Sequence, residues 1–471
     1  MPEPRPLRFF NSLTRAIEPL SPIAPPAVSL YCCGPTVYNY AHIGNLRTYV
    51  FEDLLQRVIR SAGYDLHHVM NITDVGHLQS DADDGDDKMM LAAMREQRSP
   101  WDIARFYEDE FFRHTDMLGI VRPDTVCRAT EHIPQMIRMI ETLIKRGHAY
   151  SVDGNVYFDT STFPTYADFA RLRMDAQEAT ERVDEDTRKR NPQDFVLWFS
   201  QSKYPNQIMK WDSPWGTGFP GWHIECSAMA TTYLSETIDI HCGGIDHITV
   251  HHTNEIAQSE CCFGHRWVNT WLHGEFLVVD DAKMSKSTGD FLHLDRLVEA
   301  GYEPMDYRYL LLTGHYRARL SFSFDALDGA RQALKTLRNL MHDWSYAARE
   351  SDAVRDDHIT DWREEFWEEL ANDLHIPNAL AVAWKMARDT NLAPAEKLTL
   401  MSGFDDILGL DLATVNESRA LTDDLMALIR QREDARENRD WVTADAIRDD
   451  LLAKGVIIKD RTDGTDWELV R

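Results

Sequence analysis

Apolar and polar residues roughly alternate over residues 28–33, and Gly34-Pro35 then breaks the run, which predicts a buried strand ending in a turn. Leu46, Val50, Leu54 and Val58 follow at four-residue spacing. That period lays one apolar stripe along a helix, and Gly63 is its expected stop. Leu66, His68, Met70 and Ile72 alternate as a second strand. Strand, helix and strand in succession predict a parallel sheet of the dinucleotide-fold type.

Further along, residues 80–87 (SDADDGDD) lack the ligand spacing of a calcium loop and read as solvated. Residues 124–219 read as an insertion of mixed structure, with a helical segment over 133–143 and a hairpin over 152–158. The nucleotide fold is expected to resume with a strand over 237–241, the pair Gly243-Gly244 and a helix from His251. Beyond Glu303 the pattern turns helical and charged. Residues 421–452 fit two amphipathic helices, and 456–470 fit a closing hairpin about Asp463-Gly464. The expected fold class is therefore α/β. A divided Rossmann-type parallel sheet occupies 1–123 and 220–302 around the 124–219 insertion, followed by a helical region over 303–420 and a C-terminal region over 421–471.

A chain of 471 residues supports about three domains. Hydrophobic residues at 43% and charged residues at 27% exclude a disordered chain. The prolines of the amino-terminal MPEPRPLRFF and the lack of any apolar run near the length of a membrane span predict a cytoplasmic protein with no membrane partner. Seven cysteines, an odd number, argue against a disulfide framework. The net charge of -27 excludes a general polyanion binder, so a nucleic-acid partner has to meet local basic patches.

Three groups of residues carry candidate chemistry. His42-Ile43-Gly44-Asn45 falls where the first strand gives way to the helix, so backbone amides and the helix dipole face a ligand there, and phosphate suits that field. Lys283-Met284-Ser285-Lys286-Ser287, followed by Thr288-Gly289, carries two ammonium groups on a flexible loop, which suits a triphosphate whose charge grows as it breaks. His251 and Glu255 share one helical face, and Cys226 and Cys33 are candidates to complete a site of two thiolates, one imidazole and one carboxylate, a donor set that suits zinc. Each has a bland alternative: a helix cap with a glycine turn, a solvated loop, and buried cysteines beside a surface pair.

Taken together and in this order, the first two motifs resemble the signature pair of class I aminoacyl-tRNA synthetases. That family's first motif ends in histidine where this chain has Asn45, which hydrogen-bonds phosphate without bringing positive charge. Three longer words narrow the resemblance to the cysteinyl-tRNA synthetases, over nearly the whole chain: Tyr31-Cys32-Cys33-Gly34-Pro35-Thr36-Val37-Tyr38, Gly221-Trp222-His223-Ile224-Glu225-Cys226-Ser227 and His251-His252-Thr253-Asn254-Glu255-Ile256-Ala257-Gln258-Ser259. Thr253 stands where that family often has glutamate, and Cys242 where glycine is common. Neither change removes a matched ligand. Adjacent cysteines on a strand or helix point apart, so burial is the expected role of Cys32, Cys242, Cys261 and Cys262.

The resemblance implies an enzyme that joins cysteine to its tRNA at the expense of ATP. One zinc ion on Cys33, Cys226, His251 and Glu255 would separate cysteine from serine without editing, because a thiolate is a far better zinc ligand than a neutral hydroxyl. Trp222 and Thr73 would line the pocket for the substrate L-cysteine. His42, Gly44 and Asn45 would hold ATP and its Mg2+ on one side and Lys283 and Lys286 on the other, with Gly244 and Asp246 at the adenosine; His42, Asn45, Lys283 and Lys286 carry the catalytic role. Arg432, Arg436, Arg439, Trp441 and Asp445 would read the anticodon of tRNA(Cys), and a monomer is expected. Two readings compete. One is a cysteine ligase of the mycothiol pathway, which joins cysteine to an amino sugar and usually lacks the anticodon-reading end. The other is a catalytically silent relative, which Lys283 and Lys286 oppose and Asn45 favours.

Overall fold

The computed structural model describes residues 3–76, 88–171, 187–201, 207–279, 292–348, 354–413, 423–461 and 464–469. The acidic stretch 80–87 and the motif that holds Lys283 and Lys286 lie outside these residues. The chain forms two compact units, Met1–Asp411 and Leu412–Arg471.

Five parallel strands make the central sheet of the first unit, in the spatial order Val268–Gly274, Ile238–Gly244, Ala27–Cys32, Asp65–Ile72 and Thr125–Arg128. The chain builds outward in one direction from Ala27–Cys32 and, after the insertion, outward in the other from Ile238–Gly244. These two strands lie side by side, with Leu30 opposite Ile240 and Cys32 opposite Cys242. The order reverses between them, and the crevice beyond their carboxyl ends is where such a sheet binds ligands. The alternation expected over 66–72 holds only at the start of its strand, since every residue from His68 to Ile72 is buried. A parallel strand covered on both faces has no solvent side to keep polar.

Helix Ile43–Ser61 buries Leu46, Val50, Leu54 and Val58 as the period predicts, and Gly63 follows its end with φ 92°. It also buries Tyr49, Phe51, Glu52, Asp53, Leu55 and Gln56. A second buried face is required because helices Pro304–Leu312 and Pro394–Leu408 pack on the side away from the sheet. In the insertion, helix Ile133–Arg146 precedes an antiparallel sheet of Ala149–Val152, Asn155–Phe158, Phe195–Phe199 and Phe219–Pro220. The hairpin expected over 152–158 begins three residues earlier, at Ala149, because its turn is Asp153-Gly154, both at positive φ. That is the two-residue turn that matches strand twist. The pattern does not announce the amino-terminal hairpin Arg8–Asn11 with Ala16–Pro19, nor helix Pro100–Met117.

Helices Phe324–Ala347, Asp356–Ala371, Ile376–Arg388 and Pro394–Leu408 pack together to complete the first unit. The second unit holds helices Asp423–Glu437 and Trp441–Ala453 and the antiparallel strands Val456–Arg461 and Gly464–Leu469, around Ile429, Leu451, Val456 and Ile458. Among the described residues no helix is long and apolar enough to cross a membrane.

Candidate active site

His42 is the N-cap of helix Ile43–Ser61. The Asn45 backbone N–H donates to His42 Nδ1 at 3.2 Å, and the His42 backbone N–H donates to Asn45 Oδ1 at 3.3 Å. This reciprocal capping box satisfies two amides at the helix entrance and gives Asn45 a structural task. A Cβ at position 44 would lie 2.8 Å from the His42 ring, so glycine is what lets the ring fold back over the helix start. Burial lowers the His42 pKa against the opposing pull of Asp246. The ring is therefore neutral near neutral pH and offers a hydrogen bond, not a charge. Asp246 reaches His42 electrostatically from the short turn Ile245–Ile248, whose N-cap is Gly244 at the end of the neighbouring strand. The two halves of the sheet thus bring His42, Gly44, Asn45, Gly244 and Asp246 to one crevice.

Beside it lies the metal-type cluster. Cys33 follows the strand Ala27–Cys32, helix Trp222–Tyr233 delivers Cys226, and helix His251–Phe263 delivers His251 and Glu255. One ligand atom from each lies within 4.8 Å of the others, and all four residues are buried. Cysteine, histidine and carboxylate donors converging at this range are a set that zinc takes. Burial holds the Cys33 thiol up, whereas its hydrogen bond to Cys226 draws the Cys226 thiol down. Burial opposes charge on His251, yet the Glu255 carboxylate at 2.9 Å and Cys226 raise its pKa to about 10. Burial likewise opposes charge on Glu255, and His241 and His251 hold it at about 2. The pocket is anion-rich enough to demand a proton on a buried imidazole. A divalent cation would take the place of that proton and leave no carboxylate or thiolate unpaired, so the residues fit the metal.

The sequence reading missed the histidines behind these ligands. His241 Nε2 lies 3.0 Å from Glu255 Oε2, and His252 Nε2 lies 3.3 Å from Cys33 Sγ. His252 Nδ1 in turn is 2.8 Å from His273 Nε2, whose Nδ1 is 2.8 Å from Ser12 Oγ. His223 Nδ1 is 2.9 Å from His251 Nδ1. Such outer partners orient first ligands and fix their tautomers. Cys33, His241, His252 and Glu255 make a second converging set that shares two members with the first. The softer set with two thiolates suits zinc better. The density of His241, His247, His251 and His252 was the available signal.

The Trp222 ring stands half-buried beside His251, centroids 4.2 Å apart. Thr73 is 1% exposed, and its oxygen accepts from Asn71 Nδ2 at 3.2 Å while its backbone braces Thr36. Its backbone also exchanges hydrogen bonds with Pro35 and Val37 in the turn after Ala27–Cys32. Cys32 and Cys242 face each other across adjacent strands with their thiols hydrogen-bonded and their pKa values raised by burial, and Cys261 and Cys262 are also buried. None of these four enters a converging ligand set among the described residues.

In the second unit Trp441 is 57% exposed, at the start of its helix, and Arg439 and Asp445 are exposed beside it. Arg436 is half-buried. Arg432 departs from the expectation of an RNA contact, being 3% exposed. It follows the core residue Ile429 by three positions, which turns it to the packed face of helix Asp423–Glu437.

Residues 19–332 match the family model described as tRNA synthetases class I (C) catalytic domain, and residues 418–467 match the Cysteinyl-tRNA ligase anticodon binding domain. The cysteine–tRNA ligase of Treponema denticola is 44% identical over 98% of this chain and 99% of its own length. Cysteine–tRNA ligase 1 of Burkholderia lata is 47% identical over 98% and 96%. Among solved structures, Mycobacterium tuberculosis methionyl-tRNA synthetase in complex with methionyl-adenylate superposes with TM-score 0.55 at 16% identity, covering 82% of this chain and 90% of that one. A ternary LeuRS–tRNA complex from Agrobacterium radiobacter superposes with TM-score 0.60 at 11% identity, covering 84% and 86%. These two share the fold. Family models on both the catalytic body and the terminal helices, with relatives matched over nearly their full length, show that the chain belongs to the cysteinyl-tRNA synthetase family.

Proposed function

We propose that this cysteine tRNA ligase selects its amino acid in the pocket of Cys33, Cys226, His251 and Glu255, activates it with ATP in the adjoining crevice, and transfers it to the 3'-terminal ribose of tRNA(Cys). The convergence of four buried ligand atoms, from three separated segments, at the edge of the nucleotide crevice carries this reading. Held by Cys33, Cys226, His251 and Glu255, a zinc ion would supply a Lewis acid that prefers a thiolate side chain to a neutral hydroxyl. Trp222 excludes water from one side of that site.

With cysteine so oriented, its carboxylate attacks the α-phosphate of ATP in line; the new oxygen–phosphorus bond gives cysteinyl-adenylate as pyrophosphate leaves. Neutral His42 hydrogen-bonds the phosphates at the helix entrance, where the dipole also favours their charge. Asn45 acts mainly by fixing His42. Lys283 and Lys286 stabilise the departing pyrophosphate, whose Mg2+ arrives with ATP, and Gly244 and Asp246 receive the ribose. About one zinc per purified chain, by atomic emission, is the expected metal content.

Trp441, with Arg436, Arg439 and Asp445 around it, presents a stacking surface for an unpaired anticodon base. Arg432 serves the unit's interior instead. The match of residues 418–467 to an anticodon-binding model favours tRNA over an amino sugar as the acceptor. Trp441→Ala is expected to raise the KM for tRNA in aminoacylation about tenfold, the loss of one stacked base, while cysteine-dependent pyrophosphate exchange, which needs no tRNA, stays at its original rate. Equal losses in both assays would contradict an anticodon role.

A further inference from the structure

A second cluster of titratable groups lies against the first signature motif. Asp295, in helix Leu294–Glu299, receives Arg113 through both oxygens, Nη1 to Oδ1 at 2.9 Å and Nη2 to Oδ2 at 2.7 Å. Nε2 of the fully buried His114 lies 2.9 Å from the same Oδ2. Arg113 and His114 come from helix Pro100–Met117, so Asp295 pins its own segment to that helix. Two residues before Asp295, the His293 ring stacks on Tyr40, centroids 4.6 Å apart and planes within 13°. Tyr40 meets Tyr107 of the same helix edge-on at 5.1 Å.

The backbone completes the connection. His293 forms a β-bridge with His42, and the Ile43 N–H donates to the Leu292 carbonyl at 2.9 Å. The first amide of the helix is therefore held by residue 292, and the residue before it is bridged to residue 293. The capping box ties His42 and Asn45 to each other. This segment thus links the cap to helix Pro100–Met117. His114, His293 and Asp295 also converge as ligand types. Both Asp295 oxygens already carry the guanidinium charge, which opposes a cation there.

We propose that Asp295 and His293 are positioning residues for ATP, acting through His42. The proposal rests on the reading of His42 as an ATP contact. The Arg113–Asp295 pair is part-exposed, with side-chain exposures of 41% and 26%, so solvent screens it and its own contribution to stability is small. Its loss leaves the helix intact and lets the cap shift, and a displacement near 1 Å in a substrate-positioning group is costly to the reaction.

The test is Asp295→Asn in the full chain, assayed by pyrophosphate exchange at varied ATP and varied cysteine. The KM for ATP should rise about tenfold, with the KM for cysteine, the zinc content and the melting temperature unchanged. His293→Leu, which keeps the backbone bridge but removes the ring stack, should give a smaller rise of about threefold and serves if Asp295→Asn fails to fold. A folded variant with unaltered KM for ATP, or one in which both KM values rise together, overturns the proposal. Absence of exchange in the unaltered chain would sink the activation reading and this proposal with it, so the two failures are distinguishable.

Discussion

Cys226→Ser should reduce cysteine-dependent pyrophosphate exchange by about 10²–10⁴-fold and leave the purified chain short of zinc. The loss is set above the about 10–100-fold that outer partners of a metal ligand cost, because Cys226 would itself be a ligand. Serine keeps the shape but not the thiolate. Of the two thiols, Cys226 is the one whose pKa is drawn down by its partner, so it is the readier thiolate. His241→Asn removes only the group behind Glu255 and should cost about 10–100-fold, as outer partners of metal ligands do. Exchange rate and zinc content measured on the same preparation check both. Full zinc occupancy with unaltered exchange in Cys226→Ser would exclude it as a ligand.

Arg308→Ala should destabilise the first unit by about 3–5 kcal/mol, measured by urea unfolding. Arg308 has no exposed surface, and its Nη2 donates to Asp53 Oδ2 at 2.6 Å. Its Nε donates to the Leu408 carbonyl and its Nη1 to the Leu118 carbonyl, each at 2.9 Å. One side chain thereby joins helix Pro304–Leu312 to the first helix, to the end of helix Pro394–Leu408 and to the turn after helix Pro100–Met117. Gly409 sits at φ 64°, and a Cβ there would stand 2.5 Å from Arg308 Nη2, so the backbone is shaped around the guanidinium. Alanine strands two carbonyls without a donor and leaves Asp53 with Arg57 alone as a charge partner, at 2.9 Å. A loss below about 1 kcal/mol, the range of an exposed pair, would contradict this account.

What the sequence made legible follows from where the information is local. Cys33, Cys226, His251 and Glu255 declare their chemistry by residue type, and the four-residue step from His251 to Glu255 already places those two on one face. The histidine relay was not legible, because His241 and His273 meet helix His251–Phe263 through strands paired across the sheet, and spacing along the chain does not encode that pairing. Asn45 read as a departure from a phosphate-binding motif, yet the residues that suggested a helix cap do form one. Arg432 shows the opposite error. Its charge was read as a surface signal, whereas its three-residue step from Ile429 pointed it inward. The buried sides of the first helix and of Asp65–Ile72 were half legible, since period reveals one face and only packing partners reveal the second.

Amino-acid choice by the Cys33, Cys226, His251 and Glu255 pocket is open to one decisive measurement. Pyrophosphate exchange with cysteine and with serine, before and after zinc removal and again after zinc is restored, tests it most directly. Exchange with cysteine should exceed that with serine by roughly 10³-fold or more, be lost on zinc removal and recover on its return. Exchange that survives complete zinc removal with its preference for cysteine intact would contradict selection by the pocket.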